Sequence, residues 1–304
     1  MKRKIGLSTF ELQKKFGDER AIEIAKEVGA DAVDFDLGEA RYDFRNSESI
    51  YSKSEDEITA YFKNLKAKAD KLGIEICQTH GRGYGFREIK EEDEALIKNA
   101  RIDCLATSIL GAPVCVIHAV TTIFMGPDAS GDVMHKMNFD MFSKIIPFAK
   151  KYNIKIATET FGDAAAFSCC DFFGNIDEFV KSYNDISAFE DFKDYFCTCV
   201  DTGHSNKAMR FSNPTPADVI RRLGNSIEVL HLNDNDTLTD QHKIPMTGCI
   251  NWDDVFDALD EVGYSGVYNM ELVLSRFGEG IEIDTASFAV KVMRNLLEKR
   301  YGKI

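Results

Sequence analysis

Short apolar runs alternate with longer amphipathic segments from one end of this chain to the other, and this alternation limits the fold more than any other feature. The runs are "IGLS", "DAVDFD", "IEICQTH", "PVCVIH", "IKIATE", "FCTCVD", "IEVLH" and "GVYNME". Most are rich in β-branched or aromatic residues and have the length of buried strands. The segments between them read as helices. In "DEITAYFKNLKAKADKLG", Ile58, Tyr61, Phe62 and Leu65 share one face and Gly73 supplies the stop. In "NWDDVFDALDEVG", Asn251 is the expected N-cap, Val255, Phe256 and Leu259 point inward, and Gly263 ends the helix. "TASFAVKVMRNLLEK" reads as a last amphipathic helix.

Eight such repeats in 304 residues predict an α/β fold of one kind: a single (β/α)8 TIM barrel, one domain over residues 1–304. An open doubly wound sheet would carry a glycine-rich loop after its first strand. "GLSTFELQKKFG" has none, and "GRGYG" follows the third strand instead. The opening "MKRK" is basic but leads into no long apolar segment, so no signal peptide is expected. With no apolar run of membrane-spanning length, the expected setting is cytoplasmic, with the eight cysteines reduced. A net charge of −13 without a dense basic run weighs against nucleic acid as a partner.

In a parallel barrel every strand ends at the same mouth. The expected last residues are Ser8, Asp36, His80, His118, Glu159, Asp201, His231 and Glu271. Any one of these alone reads as a capping or hydrogen-bonded residue, and their recurrence is what points to a site. Glu159, Asp201, His231 and Glu271 offer three carboxylates and an imidazole, a set that suits one divalent ion among Mn, Mg, Co and Zn. Five of the six histidines, 80, 118, 204, 231 and 242, fall at strand ends or just beyond, and only His135 lies elsewhere.

With "ATETFG", "VDTGHSNKA", "VLHLNDND", "GAPVCVIHA" and "GCINWDDVFDALDEVGYSGVYNMEL", the chain resembles the xylose-isomerase-like barrel superfamily over nearly its whole length. That group includes sugar-phosphate isomerases and epimerases, ketose 3-epimerases and zinc-dependent abasic-site endonucleases. The resemblance implies that Glu159, Asp201, His231 and Glu271 are the metal ligands of an epimerase and that His204 contacts substrate. It also matches His80, His118, Asp240 and His242 to ligands of the nuclease zinc cluster, as candidates for a second metal or for substrate. Two departures stand out: no arginine follows His231 in "NDNDTLTD", and "PMTGCINW" lacks the first glycine of the usual P-G-x-G-x-I-x-W segment.

The reading that follows is a metal-dependent sugar or sugar-phosphate isomerase or epimerase. Glu159 and Glu271 would move a proton through a metal-stabilised enediolate, assisted by His204. A zinc-dependent abasic-site endonuclease and a dehydratase or lyase on a polyol are the alternatives. Arg82 and Trp252 are the expected substrate contacts. Arg87 and Arg276 are further anion-binding candidates, and Phe10, Phe86 and Phe161 could cover a sugar face. The partner expected is a small sugar or sugar phosphate, and the tendency of barrels of this group to pair leaves a homo-oligomer open.

Overall fold

The computed structural model describes residues 3–303, so Met1 and Lys2 of the basic opening lie outside the described residues. The eight expected runs form one sheet of parallel strands: β1 (Ile5–Ser8), β2 (Ala32–Asp36), β3 (Glu75–His80), β4 (Val114–Val116), β5 (Lys155–Glu159), β6 (Phe196–Asp201), β7 (Ile227–His231) and β8 (Tyr268–Met270). From β1 to β7 each strand pairs in parallel with the next, and β8 returns to β1 with Ile5 opposite Tyr268. Just past β7, the Leu232 N–H donates to the Asn269 carbonyl and the Leu232 carbonyl accepts from Glu271 N, which closes the ring. Two strands are shorter than their apolar runs. β4 stops at Val116, two residues before His118, and β8 stops just before Glu271. A two-stranded antiparallel hairpin, Asp163–Ala164 with Cys169–Cys170, was not apparent in the sequence pattern.

The helices follow their sequence signals. Glu55–Leu72 begins in a capping box, with the Ser54 side chain accepting from Glu57 N and the Glu57 carboxylate accepting from Ser54 N, and ends at Gly73 in the left-handed region. Trp252–Glu261 is capped by the Asn251 side chain accepting from Asp254 N, and Val255, Phe256 and Leu259 are buried as the pattern predicts. All eight cysteines are free.

The loop after β7 positions much of the mouth, and Asp234 organises it. Its Oδ1 accepts from Asn235 N and Ile250 N, and its Oδ2 accepts from the indole Nε1 of Trp252 at 2.9 Å. Gly248 passes so close that a Cβ there would stand 2.2 Å from Asp234 Oδ1. Trp252 is therefore not a wall of a substrate pocket, as the sequence reading had it. It is 2% exposed, and it staples its helix to the loop. Trp252→Phe keeps most of the ring and removes the donor from a buried carboxylate, so it should cost about 1–3 kcal/mol in a urea melt. A change under about 0.5 kcal/mol, within the usual range of a surface substitution, would contradict this role.

Candidate metal centre

The side chains expected at the mouth do meet. Glu159, Asp201, His231 and Glu271 each offer a ligand atom within 4.8 Å of every other one. His231 Nδ1 lies 3.1 Å from Glu159 Oε1 and 3.4 Å from Glu271 Oε2. Glu159, Asp201 and His231 are all 0% exposed, while Glu271 reaches a cavity. Asp201 is held by Asn233, whose Nδ2 donates to Asp201 Oδ2 at 2.7 Å. Gly203 makes that contact possible, because a Cβ on it would stand 1.9 Å from Asn233 Oδ1. This gives a packing reason for glycine in "DTGH".

These residues fit a divalent cation on chemical grounds. Among the described residues, no lysine or arginine pairs with Glu159, Asp201 or Glu271; their charged neighbours are imidazoles. Glu159 Oε1 and His231 Nδ1 are buried without a hydrogen-bond partner although they face each other. Burial opposes charge on His231, yet Cys199, Glu159 and Glu271 carry its pKa well above the ordinary imidazole range. Burial likewise opposes charge on Glu159, but His231 and His118 hold it well below the usual carboxylate range. The site demands positive charge.

The second set of candidates borders the first. His118 Nε2 lies 3.0 Å from Glu159 Oε2 and 3.2 Å from His80 Nε2, and these three side chains form another group with ligand spacing. Asp240 Oδ2 sits between His204 Nε2 at 3.3 Å and His242 Nε2 at 3.4 Å. Lys207, buried on Asp163, is 3.6 Å from Asp240. His204 Nδ1 lies 3.0 Å from the Thr160 carbonyl, and Phe161 packs against both His118 and His204. His135 stands apart, paired with Glu178.

Beside the centre opens a cavity of about 390 Å³, lined by Asp36, Glu39, His80, His242 and Glu271 together with Phe10, Tyr84, Leu272 and Val273. Burial pushes the Asp36 carboxyl up to about 7. No lysine or arginine lines this cavity among the described residues. Arg82, expected to bind substrate, is turned into the protein and 1% exposed. Its guanidinium donates to Asp103 through Nε at 2.7 Å and Nη2 at 3.0 Å, to the Tyr42 carbonyl at 2.9 Å and to the Leu37 carbonyl. With its donors satisfied internally, it is a structural residue. Arg87 stacks on Phe124, Arg276 donates to the Gln241 carbonyl, and Phe86 is buried away from the cavity.

Two site residues lay outside the sequence reading. Asp34, one strand period before Asp36, sits beneath His231, and Glu39 lines the cavity. The "DFD" alternation places Asp34 and Asp36 on one face of β2, a usable signal that a search of strand ends alone passes over.

A barrel of parallel strands with carboxylates and imidazoles gathered at their C-terminal ends defines a class of (β/α)8 protein with a candidate metal centre. The chain belongs to the xylose isomerase-like TIM barrel family, whose model it matches over residues 22–295. It is 27% identical over 183 residues to the uncharacterized protein y4fM of Sinorhizobium fredii, covering 60% of this chain and 53% of that one. It is 27% identical over 181 residues to the uncharacterized protein MJ1311 of Methanocaldococcus jannaschii, covering 58% and 57%. The chain thus spans about half the length of the curated relatives it matches. Among solved structures, a D-tagatose 3-epimerase-like protein superposes with a TM-score of 0.73 at 22% identity, over 97% of both chains. The IOLI protein with a binding zinc atom gives 0.74 at 16% identity, over 98% and 99%. The 3-keto-D-glucoside 4-epimerase YcjR from E. coli gives 0.69 at 16%, over 95% and 100%. At these identities the likeness establishes the fold.

Arg82→Leu would strand the wholly buried Asp103, so a loss of about 3–5 kcal/mol is expected in chemical denaturation. A variant as stable as the parent would restore Arg82 as a free, ligand-facing group.

Proposed function

We propose that this chain is a divalent-metal-dependent isomerase or epimerase acting on a sugar without a phosphate group. The observation that supports it most is the meeting of Glu159, Asp201, His231 and Glu271 around unpartnered, buried ligand atoms. These four would hold the ion. A bound divalent cation supplies Lewis acidity toward a carbonyl oxygen and the hydroxyl beside it, which makes the neighbouring C–H easier to deprotonate. Glu271, facing the cavity, takes the proton, and Glu159 on the buried side of the centre is the second acid–base group. His204 is a positioned donor at the edge of the site. Burial opposes its charge, but Asp201 and Asp240 keep its pKa well above the imidazole range. Phe10, 44% exposed, and Tyr84 give the cavity apolar surface for the C–H face of a sugar.

The absence of a phosphate follows from charge. Asp36, Glu39 and Glu271 line the cavity, and its lining among the described residues includes no cationic side chain apart from histidine. A phosphate dianion there would meet carboxylates, while a neutral polyol can donate its hydroxyls to them. Similar structures include proteins described as a D-tagatose 3-epimerase-like protein and a 3-keto-D-glucoside 4-epimerase, names of unphosphorylated sugars or glycosides, which agrees with a substrate without phosphate.

A second reading, the multi-zinc abasic-site endonuclease, draws on His80 and His118, which form a further ligand group with Glu159. Against it, Asp240 is already shared by His204, His242 and Lys207, and a chain of net charge −13 is poorly suited to a phosphate backbone.

Metal analysis of protein purified without chelator should give one ion per chain, whereas three would favour the nuclease. In a screen of ketoses and inositol-type ketones against their phosphates, turnover is expected with the neutral compounds. Glu159→Gln and Glu271→Gln should each lower kcat by about 10²–10⁴-fold. Unchanged turnover in either variant would remove that residue from the mechanism.

A further inference from the structure

Asp34 lies on β2 below the candidate centre, 0% exposed, and among the described residues no lysine or arginine pairs with it. Its Oδ2 is approached by three nitrogens: His231 Nε2 at 3.1 Å, Gln78 Nε2 at 3.2 Å and Asn269 Nδ2 at 3.1 Å. We propose that Asp34 is the positioning residue of the centre, holding His231 as its Nε2–H tautomer so that the Nδ1 lone pair is presented to a divalent cation. This rests on the metal reading given above.

The hydrogen-bond inventory supports the assignment. An ionised carboxylate only accepts, so the His231 nitrogen facing it must carry the hydrogen. In the neutral ring Nδ1 is then a lone pair, 3.1 Å from Glu159 Oε1 and 3.4 Å from Glu271 Oε2, neither of which can donate to it as a carboxylate. Without a metal, a proton on Nδ1 separates these acceptors, and a divalent cation would take its place there. The ring is also held against turning. Asn269 Nδ2 donates both to Asp34 and to the Leu230 carbonyl at 3.2 Å, which fixes that amide, and Gln78 fills a further acceptor direction of Asp34. Asp34, Gln78, His231 and Asn269 come from β2, β3, β7 and β8, so one polar cluster ties four strands together directly beneath the site. A carboxylate behind a ligating imidazole orients the ring and raises its basicity, and loss of such a partner typically weakens metal binding 10–100-fold.

The test is Mn²⁺ titration of chelator-stripped protein, with Kd measured for the parent and for Asp34→Asn, alongside the Tm of each metal-free form. Asparagine keeps the shape and one accepting oxygen, as many as Asp34 uses for its three donors, but lacks the negative charge that holds the hydrogen on His231 Nε2 and raises the basicity of the ring. A Kd weaker by about 10–100-fold is expected. An unchanged Kd with a lowered metal-free Tm would mean that Asp34 only joins strands, and would overturn the proposal while leaving the metal site standing. If the parent itself binds no Mn²⁺, the metal reading fails and takes this inference with it. A measurement on the unmutated chain decides the case even if Asp34→Asn fails to fold. In Zn²⁺-loaded protein labelled with ¹⁵N-histidine, the signal lost in His231→Gln should report a hydrogen on Nε2. A hydrogen on Nδ1 would overturn the proposal.

Discussion

Four carboxylates, Asp34, Glu159, Asp201 and Glu271, stand together at one end of this barrel, and among the described residues no lysine or arginine neutralises them. Moving even one carboxylate out of water costs several kcal/mol unless charge or hydrogen bonds compensate it. Here the nearby positive partners are imidazoles, and each imidazole is itself in contact with carboxylates or with another imidazole. Such an arrangement is stable as a binding site for a cation and costly as packing. The closed ring of strands makes it possible, because it brings residues from β2, β5, β6 and β7, and one just past β8, to a common point with the strand backbone already paired.

The layer around the centre explains sequence features that carry no charge of their own. Gly203 lets Asn233 reach Asp201, and Gly248 lets the loop close on Asp234, which in turn anchors Trp252 and its helix. Gly85 is needed for a similar reason, since a Cβ there would lie 2.5 Å from Val120 N. Of the other glycines of "GRGYG", Gly81 and Gly83 line the cavity with small residues. Lys207 plays a comparable part at the rim, where it joins Asp163 and lies 3.6 Å from Asp240 beside that residue's two histidines.

How much was legible in the sequence depended on range. Strands and helices announce themselves locally, through β-branched runs, caps such as Ser54 and Asn251, and stops such as Gly73, so the barrel could be read directly. The meeting of the candidate ligands could be read because the fold turns a one-dimensional rule, the last polar residue of each run, into proximity. Arg82 and Trp252 show where that rule ends. Both follow polar segments near the mouth, but their direction is set by distant partners, Asp103 and Asp234, that no local pattern reveals. Asp34 escaped for the opposite reason: it lies inside a strand, where polar residues are usually excluded, and its role appears only when β7 is seen across the barrel. The short hairpin at residues 163–170 carries no apolar run long enough to register as strands.

The most direct test of the account is a crystal structure of the Mn²⁺-loaded protein with anomalous data collected at the manganese edge. One anomalous peak coordinated by Glu159, Asp201, His231 and Glu271 is the expected result. A map without a peak among those four side chains would contradict it, as would a metal bound only elsewhere on the chain.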